Sequence, residues 1–379
     1  MKYMGSKRTM LKNGLGQLLL KQAKKAKRVV DLFTGAGFVA WFIAENTDKA
    51  VLAVDLQKYA TILAKAIIGR TSVLSPITLR GIWIEKAIEV RESSPIWHEV
   101  NCLKKNSLEI KEWVENSRQI CKQPLEIGPI WGAYGGHYFS PVQALTFDYL
   151  LAHLPDRDPE RTVCLAACIS AAMECAAAPG HTAQPFQPTE SASPFIFEAW
   201  SRDPVIYCQK ALQSICPHHA QTAGEVITGD ALEIAKEVNE NDLVFIDPPY
   251  SSVQYSRFYH VLETIARGLN KLSVSGIGRY PSLQERPQSK FSNSGQSKKA
   301  LRDLLEILSK KSCRIIFTFP SGESSNGLSG EFIKQTASEW FHVLDHSTVV
   351  GQFSTLGGNN IRRDARQKSI EMILLMYPK

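Results

Sequence analysis

The chain of 379 residues contains no apolar run long enough to cross a bilayer. Its most apolar stretch, Val163 to Ala178, is short and carries Ser170 and Glu174, so it reads as a buried helix. No secretory leader is evident, and a cytoplasmic protein without membrane contact is expected. The eight cysteines lack disulfide-type spacing, which predicts free thiols. Neither Cys164, Cys168 and Cys175 nor Cys208 and Cys216 with His218 and His219 has zinc-finger spacing, so no metal site is expected. Charge is not scarce. The 44 Lys and Arg against 37 Asp and Glu leave a net +7, which suits a polyanionic partner without requiring one. The length suffices for a full α/β core and a second small domain.

Four residues, Asp247-Pro248-Pro249-Tyr250, carry the most chemistry. They follow Leu243-Val244-Phe245-Ile246, an apolar run that reads as a buried parallel strand. Proline fixes φ and has no N–H, so the corner is rigid and its carbonyls stay free to accept hydrogen bonds. A carboxylate and a flat ring flank those carbonyls. Such a set suits a planar exocyclic amine, whose N–H groups meet the acceptors while the ring stacks on the attached base. The amine's lone pair is conjugated into the base and is a poor nucleophile until such contacts localise it. The corner therefore predicts a site for alkylating an amino group on a nucleobase.

A second motif lies more than two hundred residues earlier. Val29-Val30-Asp31-Leu32-Phe33-Thr34-Gly35-Ala36-Gly37 reads as a strand entering a glycine turn. A helix from Phe38 to Asn46 and a strand from Ala50 to Val54 follow, and the strand ends in Asp55. A carboxylate there can hold two ribose hydroxyls, and the glycines let a cofactor approach the backbone. Gly35 to Ala40 also satisfies the dinucleotide fingerprint, so the turn alone leaves the cofactor open. Two features favour S-adenosylmethionine: Asp31 could pair with its ammonium, and the Asp-Pro-Pro-Tyr corner has no role in hydride transfer.

Taken together, these motifs resemble those of alpha-type DNA adenine-N6 methyltransferases, the class that includes the Dam-like enzymes. Lys2-Tyr3-Met4-Gly5-Ser6-Lys7-Arg8 is similar to that family's N-terminal motif, whose aromatic and lysine lie against the cofactor. Tyr3 and Lys7 are implied as cofactor contacts. Asp31 to Gly37 matches the Phe-x-Gly-x-Gly motif through Phe33, Gly35 and Gly37, and Asp55 matches the ribose-binding acid. Ile227-Thr228-Gly229-Asp230-Ala231 resembles the short strand and acid preceding the catalytic corner; Asp230 would hold the cofactor's adenine or cap the following helix. The resemblance covers roughly residues 1 to 65 and 225 to 379.

The resemblance implies an α/β fold: a Rossmann-like S-adenosylmethionine-dependent methyltransferase sheet, residues 1–68 and 223–379, interrupted by a mainly helical target-recognition domain, 69–222. It implies site-specific adenine-N6 methylation of double-stranded DNA with the base flipped out of the stack. A restriction-modification or phage-defence role follows, with a cognate restriction endonuclease as partner. Tyr250 would stack on the adenine, and Asp247 with the Pro248 carbonyl would accept from its amino group. Cytosine-N4 enzymes share this chemistry but more often carry Ser in place of Asp247. Glutamine-directed protein methyltransferases resemble the motif with Asn there. A silent DNA-binding module would not need every catalytic side chain, and all are present.

Smaller features complete the expectation. Trp83, Trp97, Trp113 and Trp131, with the glycine-rich turn Trp131 to Tyr138, would stack on DNA or fill a small core. Ser140-Pro141 would open a helix through Leu154, and another would run from Pro159 to Ala178. His181 sits in a proline-rich loop and reads as structural. A helix is expected from Phe258 to Arg267, a mobile loop over 272–298, and a disordered linker from Pro287 to Lys299. Strands are expected at Arg314–Phe319, Thr348–Phe353 and Ser369–Met376. Lys21, Lys24, Lys25, Lys27 and Arg28 read as a solvated helix face, whereas Arg362, Arg363, Arg366 and Lys368 suit phosphate contact.

Overall fold

Apolar runs in this sequence become strands covered on both faces. The computed structural model describes residues 7–105, 109–268, 272–354 and 366–379. Strands β1 (Arg28–Asp31), β2 (Ala50–Asp55), β3 (Glu225–Thr228), β4 (Asp242–Ile246), β5 (Arg314–Pro320), β6 (Phe341–Ser354) and β7 (Arg366–Pro378) form one sheet of order β3-β2-β1-β4-β5-β7-β6. The first five run parallel, and β7 is antiparallel to both β5 and β6. Along β1 and β4, residues alternate between two apolar clusters. Val29, Leu243 and Phe245 join side chains of helices Gly16–Ala23 and Phe38–Asn46. Val30, Val244 and Ile246 join those of helix Ser297–Ser309. A strand packed this way has no polar side, so its sequence shows no alternation.

Strand order reverses between β1 and β4, where open α/β sheets form a crevice at the strand carboxyl ends. Asp31 is the last residue of β1 and pairs in register with Phe245. Asp247, two residues further along, therefore follows β4 at the same end of the sheet.

The described residues divide into two compact units. The sheet unit draws on 7–71, 219–255 and residues from 288 onward; the other draws on 72–218 and 256–287. The second unit is helical, with no named strand among its described residues. Its helix Pro141–Ala152 opens with a reciprocal capping box between Ser140 and Gln143. Helix Glu160–Cys175 packs against Pro204–Ile215, with the thiols of Cys164, Cys168 and Cys208 buried. Trp83 and Trp131 are core residues, their indole N–H groups donating to the Leu150 and Gln123 carbonyls. His181 is buried and accepts from the Ala183 N–H through Nδ1.

Three expectations need revision. Residues 256–287, expected with the sheet, pack in the helical unit, where Tyr280 Oη donates to the Ala183 carbonyl and Arg279 Nε to the Ala133 carbonyl. The stretch from Pro287 to Lys299 is ordered rather than a linker. Ser289 caps a short turn by accepting from the Phe291 N–H, Phe291 is buried, Ser297 Oγ donates to the Asn326 carbonyl, and helix Ser297–Ser309 begins within the stretch. The helix whose basic face is expected to reach Arg28 ends at Ala23, after a break at Asn13 and Gly14 where φ reaches 102° at the glycine, and Arg28 opens β1. Arg362 and Arg363 lie outside the described residues, as do the side chains of Arg366 and Lys368.

Candidate active site

The turn after β1 is built around two acids. Asp31 is buried; its Oδ1 accepts from the Phe33 N–H at 3.3 Å and its Oδ2 from Thr34 Oγ1 at 3.1 Å. Burial pushes its pKa up to about 7 against the pull of those two hydrogen bonds, and nearby Asp247 and Asp55 push it further up. A buried carboxylate beside two others gains from any cation that reaches it. Asp55 accepts from the Gly35 N–H at 2.9 Å and, on its other oxygen, from the Gln57 N–H at 2.9 Å. Each carboxylate oxygen can accept a second donor. Gly37 has φ 82°, and a Cβ there would lie 2.8 Å from Trp41 Nε1 and 3.3 Å from Ala64 Cα. Only glycine fits. Trp41 Nε1 and Gln57 Oε1 are buried without hydrogen-bond partners among the described residues, so this turn holds an unmet donor and an unmet acceptor. Phe33 packs edge-on against Phe291, centroids 5.0 Å apart.

At the end of β4, Asp247 Oδ1 accepts from Lys7 Nζ at 2.9 Å and from Thr318 Oγ1 at 2.9 Å. Lys7 Nζ also meets Glu371 Oε2 at 2.9 Å. Burial raises the Asp247 pKa to about 6, with Lys7 and Thr318 opposing and Glu371 adding to the rise. For Lys7, burial acts downward, but Asp247 and then Glu371 outweigh it and the net shift is upward. Lys7 is therefore a fixed cation. The half-buried Tyr250 ring stands edge-on to Phe319 at 6.3 Å, with Lys7 Nζ 5.9 Å from its centroid. Buried Asn326 donates to the Pro249 carbonyl at 2.7 Å and to the Phe291 carbonyl at 3.0 Å. Among the described residues, no hydrogen bond occupies Asp247 Oδ2 or the Pro248 carbonyl. The corner thus keeps two acceptors uncommitted beside the Tyr250 ring.

A family model for D12 class N6 adenine-specific DNA methyltransferases matches residues 3–92 and 163–313, more than half of the chain. The chain belongs to this family. No curated protein matches it. It is a DNA adenine-N6 methyltransferase, and its mixed α/β fold with a seven-stranded sheet accords with that class. No described helix is long and apolar enough to cross a membrane.

The methyltransferase brings Lys7, Asp247, Pro248, Pro249 and Tyr250 together at one corner. Asp31, Phe33, Gly35, Gly37 and Asp55 gather at the adjacent strand ends. Tyr3 lies outside the described residues. Asp230 follows β3, and its Oδ1 accepts from the Leu232 N–H at 2.8 Å as a helix cap. Sequence reasoning missed Glu371, Thr318 and Asn326. The first two had a signal, since each is a polar residue flanked by apolar ones, Ile370-Glu371-Met372 and Phe317-Thr318-Phe319. Asn326 lies in a polar loop and had none.

Proposed function

We propose that this methyltransferase moves a methyl group from S-adenosylmethionine to N6 of an adenine extruded from duplex DNA. The observation that carries this reading is the pair of uncommitted acceptors, Asp247 Oδ2 and the Pro248 carbonyl, beside the Tyr250 ring. Two acceptors and a flat face match an aromatic amine.

The turn residues fit the cofactor chemically. Asp31 would hold its ammonium, Asp55 its ribose hydroxyls, and Gly35 and Gly37 would allow close approach of the backbone. When bound, it supplies an electrophilic methyl group on a sulfonium. N6 is out of reach inside the stack, so the base must leave it, at about a few kcal/mol. Tyr250 would replace part of the lost stacking. Lys7 and Thr318 fix one oxygen of Asp247, leaving Oδ2 to accept from N6 and localise its lone pair. The N6 proton released on transfer would pass to Oδ2, whose pKa of about 6 suits brief protonation. Alignment and electrostatics supply the acceleration. All of these groups lie in the sheet unit, so we assign target recognition to the helical unit. A restriction or defence context with a cognate endonuclease rests on the family resemblance.

Modification mapping of DNA from cells expressing the chain tests this, with Asp247→Ala as control. Methyladenine should appear at one recurring motif and vanish in the control, while the variant still binds cofactor. Unmodified DNA from a folded, cofactor-binding protein would overturn the proposal.

A further inference from the structure

The glycine-rich turn from Trp131 to Tyr138 plays no part in the chemistry above, yet it organises a cavity of about 680 Å³ in the helical unit. Arg118, Lys122, His137 and Arg279 line it, with Glu115 as the one carboxylate among its lining residues. Helix Ile110–Ile120 presses against the turn. A Cβ on Gly136, where φ is 71°, would lie 2.8 Å from Arg118 Cα, and one on Gly135 would lie 2.6 Å from Cys121 Sγ. The glycines are what admit Arg118 to this place. Its Nε donates to the Gly136 carbonyl at 3.2 Å. From the opposite segment, Arg279 has a left-handed backbone, φ 54°, uncommon for any residue other than glycine. Its guanidinium donates to the Ala133 and Gly132 carbonyls at 2.7 and 2.9 Å.

Both guanidinia are half-buried and anchored by carbonyls, and neither has an ion-pair partner within 4.0 Å among the described residues. Burial and then the two arginines depress the His137 pKa to about 3, so His137 stays neutral beside them. Glu115 offsets part of the Arg118 charge without a close ion pair, and Arg118 Nη2 also donates to Gln187 Oε1 at 3.4 Å. Two oriented guanidinia in one open cavity still form an anion site, because each keeps further N–H groups to offer.

We infer that this cavity seats a backbone phosphate of the DNA substrate, positioning the duplex without reading its sequence. The inference takes its ligand from the proposed function but is tested separately, through binding rather than methylation. Affinity of the full chain for a short duplex should be measured against salt for wild type, Arg118→Gln and Arg118→Lys. Losing one phosphate contact should lower the salt slope by about 1 and weaken binding roughly eightfold at about 0.1 M salt, equally for every sequence. The lysine variant should recover most of the slope. An unchanged slope in folded Arg118→Gln overturns the site. Should that variant not fold, phenylglyoxal modification of Arg118 in the wild type decides: protection by duplex supports the inference, and its absence overturns it. Protection by inorganic phosphate but not by duplex would mean a small-anion site and also overturns it. A wild type that binds no DNA would sink the proposed function too, whereas one that binds and methylates with Arg118 unprotected sinks only this site.

Discussion

Each of the two units buries an aspartate whose pKa is pushed up to about 7, and the two mean different things. Asp148 lies in helix Pro141–Ala152, and its oxygens accept from the backbone N–H groups of Ile130 and Trp131 at 3.0 and 2.8 Å. It ties down the start of helix Pro129–Tyr134, and a Cβ on Gly128 would lie 2.3 Å from its Oδ1. No room is left around it. Asp31 takes longer hydrogen bonds from Phe33 and Thr34 on its own turn, and its electrostatic neighbours are two further acids. A raised carboxylate pKa reports burial; the partners decide whether the group is structural or awaits a cation.

Substituting both aspartates should separate them most widely. Asp31→Asn should weaken cofactor binding about ten- to hundredfold, as expected from losing a buried charge-assisted contact of ~1.5–3 kcal/mol. Its effect on the unliganded protein should be opposite in sign. A carboxyl raised from 3.8 to about 7 favours the folded state at low pH and loses that advantage as pH rises through 7. At pH ~8 the Asp31 charge therefore costs on the order of 4 kcal/mol, which Asn removes. Asp148→Asn gains the same relief but loses an acceptor for one of its two backbone N–H groups, about 1–3 kcal/mol, so it should stabilise the unliganded protein less than Asp31→Asn does. Its cofactor affinity should stay near that of wild type. Calorimetric titration and denaturant unfolding read both quantities; equal cofactor affinity in the two variants would erase the distinction. In the wild type, cofactor binding should also expel a proton from Asp31 below pH about 7, weakening affinity by up to tenfold per unit as pH falls.

Within the sheet unit, Lys7 and Glu371 act on Asp247 with opposite signs. With cofactor saturating, so that Asp31 does not limit, the acid limb of kcat/KM for DNA should lie near 6 if Asp247 accepts from N6 as proposed. Lys7→Gln removes the stabilising cation and should move that limb upward. Glu371→Gln removes a repelling anion and should move it downward, by a fraction of a unit to about one unit. A pH–rate profile on each variant checks the pair, and shifts in the same direction would refute the assigned roles.

The sheet unit was also the more legible of the two. Strand ends that carry chemistry are local: Val29 to Gly37 and Leu243 to Tyr250 each place strand, turn and acid within nine residues. Helix Phe38–Asn46 appears with the expected bounds. Glu371 escaped because β7 enters the sheet between β5 and β6, and only that order sets Glu371 opposite Pro320 beside the Lys7 ammonium. The helical unit offered periodicity but no pairing rule. Its polar contacts, such as Asp148 with Ile130 and Trp131, join helices whose sequence separation says nothing of their contact. The return of 256–287 to that unit was hidden for the same reason.

Asp230 gives the smallest and most discriminating test, since its sequence fits a cofactor contact and a helix cap equally. Its Oδ1 accepts from the Leu232 N–H at 2.8 Å, at the start of helix Ala231–Ile234. A cap alone predicts a loss of about 0.5–2 kcal/mol for Asp230→Ala and only a few tenths for Asp230→Ser, because serine caps nearly as well. Serine's hydroxyl is shorter and uncharged, so it would not replace a carboxylate reaching beyond the turn to a ligand. If the cap is the whole role, Asp230→Ser keeps both stability and cofactor affinity. Retained stability with a tenfold weaker cofactor, about 1.4 kcal/mol, would instead place Asp230 alongside Asp31 and Asp55 among the groups proposed to hold it.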